Sequence, residues 1–503
     1  MKRMISIAFA FSMIGLASAA DVSFMEPLIV PRPVEISVTS NVAVKMEIVH
    51  VACANDASAA VAWGASHARG WFGEGVRVTA APFTGNSLAG GDEAYELTAD
   101  VGGVRIRANA IAGVRHAFYT LRQSAMAARG TRTTEARVLP AMSVRDRPAM
   151  AFRGMHLCWF PGVEIEEIER HIRMAAYYKF NVVVIEPWAV YRWRKHPDFC
   201  WPEASVTADD MKRLAGIGRD LGVMVCPQLN LFGHAAMSRF VGGKHATLDL
   251  HPQYEPLFEP LGGWNWCLSN PETRTLLTDL VDDLHEACLN PPYFHIGCDE
   301  AHEPSCPVCR ATDYPKLVAD HISGMAARLE ARGARPLMWH DMLLSKDDRR
   351  WKGFYAKGGA RANDILAAIP KSVVICDWFY EGPKKAYPTL DYFKATGRDV
   401  LACPWQNPAG IAAQGAAVRE KGLFGLLSTT WHRAYGHRQA AFLIAASHAG
   451  WGTSAERYAK SFGTVTVATH LRQIGWDMPV RSRRQAGFVE DDVPETRVVD
   501  PTD

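Results

Sequence analysis

The run Tyr293-Phe294-His295-Ile296-Gly297-Cys298-Asp299-Glu300-Ala301 sets two carboxyls side by side behind a short apolar stretch. If that stretch is a strand, its period of two puts His295, Gly297 and Asp299 on one side, and Glu300 begins the turn onto the rim. Adjacent carboxyls oppose each other's ionisation, and an apolar lining adds to the cost of charge, so one can stay ionised while the other keeps a proton. Glycosidic bond cleavage needs that division, because the leaving oxygen must be protonated as positive charge develops on the sugar. A bare Asp-Glu pair is common at helix N-termini and in solvated turns. Its place at a strand end, behind His-x-Gly, singles this one out.

Apolar runs elsewhere finish in Trp159, Trp188, Trp339, Trp378, Trp405 and Trp431. One such tryptophan packs a core as readily as it lines a site. Six at strand ends would wall a pocket with flat faces against which the C–H surface of a sugar ring stacks.

These side chains need a frame that gathers many strand ends at one mouth. From Ala151 onward, short apolar runs alternate with helical stretches: Phe152–Trp159, Val182–Trp188, Val223–Leu229, Tyr293–Asp299, Pro336–Asp341, Val373–Phe379, Val400–Trp405 and Leu426–Trp431. The intervening segments carry helix signals, such as Asn270 as a cap, Pro271 at the first helical position, and a stripe of Leu276, Leu277, Leu280, Val281 and Leu284. Eight such units predict an α/β fold, a parallel (β/α)8 TIM barrel over residues 148–452, with its chemistry at the strand C-termini. A doubly wound sheet is the alternative, but no glycine-rich phosphate turn follows the first strand.

Residues 21–147 have a different rhythm. Alternating runs at Val34–Val38, Met46–Val51, Tyr95–Thr98 and Val104–Arg107, then one helix from about Ala112 to Ala127, predict a small α+β domain, with Val138–Pro148 as the connection to the barrel. Residues 453–503 turn charged and polar and show no chemistry.

The first nineteen residues, with Lys2 and Arg3, an apolar run from Met4 to Leu16, and Ala17-Ser18-Ala19, read as a secretory signal, so a periplasmic or secreted protein is expected. The run is shorter than the ~20 apolar residues a membrane-spanning helix needs, and no later segment reaches that length. Lys plus Arg number 55 against 53 for Asp plus Glu, and loss of Lys2 and Arg3 leaves 53 of each. A neutral chain without a basic run has no electrostatic footprint for nucleic acid or an anionic membrane. The 48% hydrophobic and 21% charged composition excludes a disordered or fibrous chain. Nothing in it specifies an oligomeric state.

The eleven cysteines are scattered. Cys298, Cys306 and Cys309 form a local group, the last two as C-x-x-C, with His302 as a conceivable fourth ligand for a structural zinc. In an exported protein a small disulfide or plain thiols is the expectation, with no metal.

With these residues in view, the chain resembles glycoside hydrolase family 20, the β-N-acetylhexosaminidases, from about Pro31 to Trp451. The resemblance rests on His295-x-Gly297-x-Asp299-Glu300, on Asp146-Arg147-Pro148 leading to Arg153-Gly154, on Gly233-His234, and on Trp339. Gly113-Val114-Arg115 and Tyr119-Thr120-Leu121 make the upstream segment similar to that family's non-catalytic domain. It implies an exo-acting, retaining, substrate-assisted reaction on a terminal β-linked N-acetylhexosamine, in which the 2-acetamido oxygen attacks the anomeric carbon and no cofactor takes part. Glu300 is then the acid and later the base, while Asp299 holds the acetamido N–H. Arg153 donates to sugar hydroxyls, His234 and His295 orient the acids, and Trp339, Trp378, Trp405 and Trp431 wall the pocket.

Three positions depart from the family pattern. Strand two has Val182 to Trp188 in place of His-x-His-x-x-Asp, with Glu186 as the substitute carboxylate; strand seven has Trp405-Gln406-Asn407 in place of Tyr-x-Asp; strand eight has Trp431-His432-Arg433 in place of Trp-x-Glu. The alternatives are a carbohydrate-binding pseudoenzyme and a related barrel glycosidase acting on a different sugar.

Overall fold

The computed structural model describes residues 26–127, 138–201, 206–235, 247–260, 263–431, 436–454 and 470. The signal-like segment 1–19, His432 and Arg433, and nearly all of the polar tail lie outside the described residues. Within that tail His470 is buried against Tyr177 and Tyr178.

The upstream unit is a six-stranded sheet built from β1 (Glu35–Lys45), β2 (Ile48–Cys53), β3 (Arg77–Ala80), β4 (Tyr95–Asp100), β5 (Gly103–Ala108) and β6 (Val138–Asp146), in the order β1-β6-β4-β5-β2-β3. Alternation decides its faces: Tyr95, Leu97 and Ala99 of β4 and Val104, Ile106 and Ala108 of β5 are buried. Two helices, Ala57–Phe72 and Ile111–Ala127, pack against it. The expectation of one helix is corrected, because Gly64, Gly70 and several alanines blur the apolar stripe of the first. Val138–Asp146 is likewise a central strand and not a connection. Pro140 pairs with Ala43 at a register shift in β1, where a ladder tolerates the missing N–H.

Eight parallel strands follow: β7 (Phe152–Trp159), β8 (Val182–Pro187), β9 (Met224–Pro227), β10 (Tyr293–His295), β11 (Arg335–Trp339), β12 (Val374–Trp378), β13 (Val400–Cys403) and β14 (Gly425–Ser428). Their order is β10-β11-β12-β13-β14-β7-β8-β9. Backbone bonds from Leu229 N to His295 O (3.0 Å) and Leu231 N to Ile296 O (3.1 Å) close the ring, making the expected barrel. Phe152, Val182, Val184, Cys226, Leu337, Val374, Leu401 and Leu427 fill its interior.

A buried polar hub joins the two units. Asp146, the last residue of β6, accepts from Tyr95 OH (2.7 Å), Lys179 Nζ (2.9 Å) and Trp451 Nε1 (2.6 Å). Burial pushes the Lys179 ammonium below its usual range, and Asp146 opposes that shift.

Candidate active site

The strand carrying the acids stops at His295, so the regular alternation expected through Asp299 does not extend there. Gly297 (φ +63°), Cys298 (φ +69°) and Glu300 (φ +50°) are left-handed. A Cβ on Gly297 would fall 1.2 Å from Asn230 Oδ1, and one on Gly233 would fall 2.2 Å from Asp299 O. Both glycines let the loops after β9 and β10 touch. His234, Gln406 and Trp431 are also left-handed, each past a barrel strand, which concentrates backbone strain of about 1–3 kcal/mol per residue around the mouth.

The loop contact brings His234 between the acids. Its Nε2 stands 3.4 Å from Asp299 Oδ2 and 3.3 Å from Glu300 Oε2. The Asp299 side chain is 6% exposed and that of Glu300 29%, so Asp299 is enclosed while Glu300 meets solvent. Trp264 packs on His234, their rings 4.4 Å apart, and its Nε1 donates to Glu300 O at 2.7 Å. His295 Nδ1 accepts from Gly297 N at 3.0 Å, and its ring lies 4.3 Å from Trp339.

A third carboxyl, absent from the sequence-based site, completes the group. Asp341, just past β11, is fully buried; its Oδ2 accepts from Glu300 N at 2.8 Å and its Oδ1 from Trp378 Nε1 at 3.2 Å. Burial, then the charge of Asp299, pushes its carboxyl up to about 8. The division of protonation expected between neighbouring acids thus includes a partner from the next strand. The only local signal was an acid two residues after Trp339.

Aromatic rings line the barrel above its aliphatic floor. His156 meets Trp431 at 4.9 Å, and Trp431 meets Trp339 at 5.5 Å. Trp378 stacks on Tyr355 (4.3 Å) and Tyr380 (5.2 Å), and Tyr380 meets Trp405 edge-on at 5.4 Å. Trp339, Trp378, Trp405 and Trp431 are therefore joined in one interior surface, to which sequence reasoning had not assigned His156, Tyr355 or Tyr380. Trp159 points to the outer face and donates to Val163 O at 2.8 Å, while Trp188 packs against Phe160 at 4.5 Å.

Glu186 of β8 faces inward, 3.6 Å from His156 Nε2. Gln228 and Asn230, just past β9, are buried with side-chain amides that have no hydrogen-bond partner among the described residues. They are further groups able to meet a hydroxyl.

Arg153 is a correction. It is the second residue of β7, in step with the outward Met155, Leu157 and Trp159, and 2% exposed. Its guanidinium is spent on a bidentate pair with Glu93 and on Met150 O (2.7 Å) and Lys179 O (3.1 Å), and it lies over the ring of Trp451. It locks the barrel to the upstream domain and does not face the acids.

The cysteine group also differs. Cys298 is buried apart, donating to Ile296 O, and Cys267 takes its place beside Cys306 and Cys309. All eleven cysteines are described and none is in a disulfide.

Residues 190–403 match the model of the glycosyl hydrolase family 20 catalytic domain. A β-N-acetylhexosaminidase of Cellulomonas fimi is 29% identical over 237 residues, 42% of this chain and 45% of that protein, so the match spans less than half of that relative's length. Among solved structures, a β-N-acetylhexosaminidase from Bacteroides fragilis superposes with TM-score 0.66 at 16% identity, covering 89% of this chain and 96% of that one. An exo β-N-acetylglucosaminidase from Vibrio harveyi, in an inactive mutant form, gives TM-score 0.65 at 18% identity, covering 90% and 77%. These likenesses establish the fold. The segment 190–403 that matches the glycosyl hydrolase family 20 catalytic domain carries Asp299, Glu300 and Asp341.

Proposed function

We propose that the protein is a retaining, exo-acting glycosidase that releases a terminal β-linked N-acetylhexosamine from a glycan by substrate-assisted catalysis. The observation that carries this reading is His234 bridging an enclosed Asp299 and a solvent-facing Glu300 at the barrel mouth. Glu300 donates a proton to the leaving oxygen and then takes one from the incoming water. Asp299 accepts the acetamido N–H, which holds the amide oxygen towards the anomeric carbon and stabilises the positive charge of the oxazolinium ion. Asp341 positions Glu300 through its backbone.

Tyr380 supplies a hydroxyl where strand seven offers Trp405. Its oxygen accepts from Trp431 Nε1 at 2.7 Å, leaving its own proton to donate to the acetamido carbonyl. The aromatic surface stacks against the sugar, and Glu186, Gln228 and Asn230 are the polar groups available to its hydroxyls. Residues 1–19 direct export in this reading, so the glycan is met outside the cytoplasm.

NMR of the first anomer released from an aryl β-N-acetylglucosaminide tests the reading. A β product, with inhibition by a thiazoline analogue of the intermediate, is expected. An α product, or a glycosyl ester trapped on Asp299 or Glu300, would overturn it.

A further inference from the structure

Outside the active site, three thiols and a carboxylate converge. Glu259, Cys267, Cys306 and Cys309 each place a ligand atom within 4.8 Å of the other three. Sγ of Cys267 lies 3.9 Å from Sγ of Cys309. Sulfurs bound tetrahedrally at about 2.3 Å from zinc stand about 3.8 Å from one another, so this separation already suits a shared ion. It is far too long for a disulfide bond of about 2.05 Å.

The carboxylate points the same way. Glu259 is 4% exposed, and its Oε2 is fixed by the backbone N–H groups of Ser305 and Cys306. Its Oε1 is buried and, among the described residues, has no N–H or O–H donor, only the Cys309 thiol beside it. An enclosed carboxylate oxygen met only by a thiol is costly unless a cation meets it. A disulfide between any two of the sulfurs is neutral and would leave that oxygen unrelieved.

We propose that Glu259, Cys267, Cys306 and Cys309 bind one Zn2+ as a structural site. Three sulfurs and one oxygen fill a tetrahedral shell and leave no open position for a reacting water, so the ion's role is to staple. Binding releases the thiol protons to solvent, and no electron is transferred. The two segments it joins back the catalytic acid: Trp264 Nε1 donates to Glu300 O, while Asn265 donates to His302 O (2.8 Å) and accepts from His302 N (3.0 Å). The ion would therefore hold the walls behind Glu300 and His234. This inference does not depend on the sugar or the reaction.

Elemental analysis of the full chain, purified without chelator, tests it. About one zinc per chain is expected, falling at least tenfold in both Cys306→Ser and Glu259→Gln, with a chelator lowering the melting temperature of the wild type. Replacement by Co2+ should give thiolate-to-cobalt charge-transfer absorption in the wild type, a readout that stands even if a variant fails to fold. Zinc below about a tenth of an equivalent, zinc unchanged in both variants, or a disulfide among Cys267, Cys306 and Cys309 in non-reducing peptide maps would each overturn the proposal.

Discussion

Asp341 holds Glu300 by its backbone: the Glu300 N–H donates to Asp341 Oδ2 at 2.8 Å, so a side chain at the end of β11 sets the position of an acid that follows β10. The same carboxyl is pushed up to about 8 by burial and by Asp299, against about 4 in an unfolded chain. A raised carboxyl favours the folded state when protonated. That contribution is complete below pH of about 4 and is lost as pH rises through about 8. Asp341→Asn cannot titrate, so the wild-type melting temperature should fall relative to the variant between those limits. Parallel melting curves across that range would show that Asp341 is not the titrating group.

In the proposed reaction Glu300→Gln removes the proton donor, and it should lower kcat by about 10²–10⁴-fold with little change in melting temperature. Asp299→Asn keeps the shape but loses the charge that steadies the intermediate, and should cost about 10²–10³-fold. Steady-state kinetics beside thermal melts check both. Activity lost only in proportion to the folded fraction would mean that the two residues are structural.

Arg153→Met should destabilise the protein by about 3–5 kcal/mol, because it leaves Glu93 without the guanidinium that, with His116, draws its carboxyl down to about 2. Denaturant unfolding measures the loss. KM should stay near the wild-type value, since Arg153 faces the upstream domain; a large rise in KM with unchanged stability would return it to the sugar site.

Tyr380→Phe keeps the stack on Trp378 and removes one hydroxyl. A hydrogen bond of about 1–3 kcal/mol in the transition state corresponds to a fall in kcat of about 5-fold to 160-fold. If kcat is unchanged, the acetamido carbonyl is held by another donor.

The barrel was legible because its strands are buried on both faces and read as unbroken apolar runs between helices with clear caps. The place of Asp299 and Glu300 at the barrel mouth was legible because they follow one of those runs. Arg153 was misplaced for a geometric reason: a period of two turns every second residue of β7 outward, and no motif says which. Asp341 and Tyr380 act across strands, so their roles appear only once β10, β11 and β12 lie side by side. Cys267 is 42 residues from Cys309 and joins it only through the fold. The left-handed residues of the acid loop were hidden as well, since only Gly297 among them announces such a backbone.

The most direct measurement compares two aryl β-glycosides that differ only at carbon two, one with an acetamido group and one with a hydroxyl. If the substrate's own amide performs the displacement, the purified protein cleaves the acetamido compound and leaves the hydroxyl compound intact. Comparable kcat/KM for the two would contradict the account.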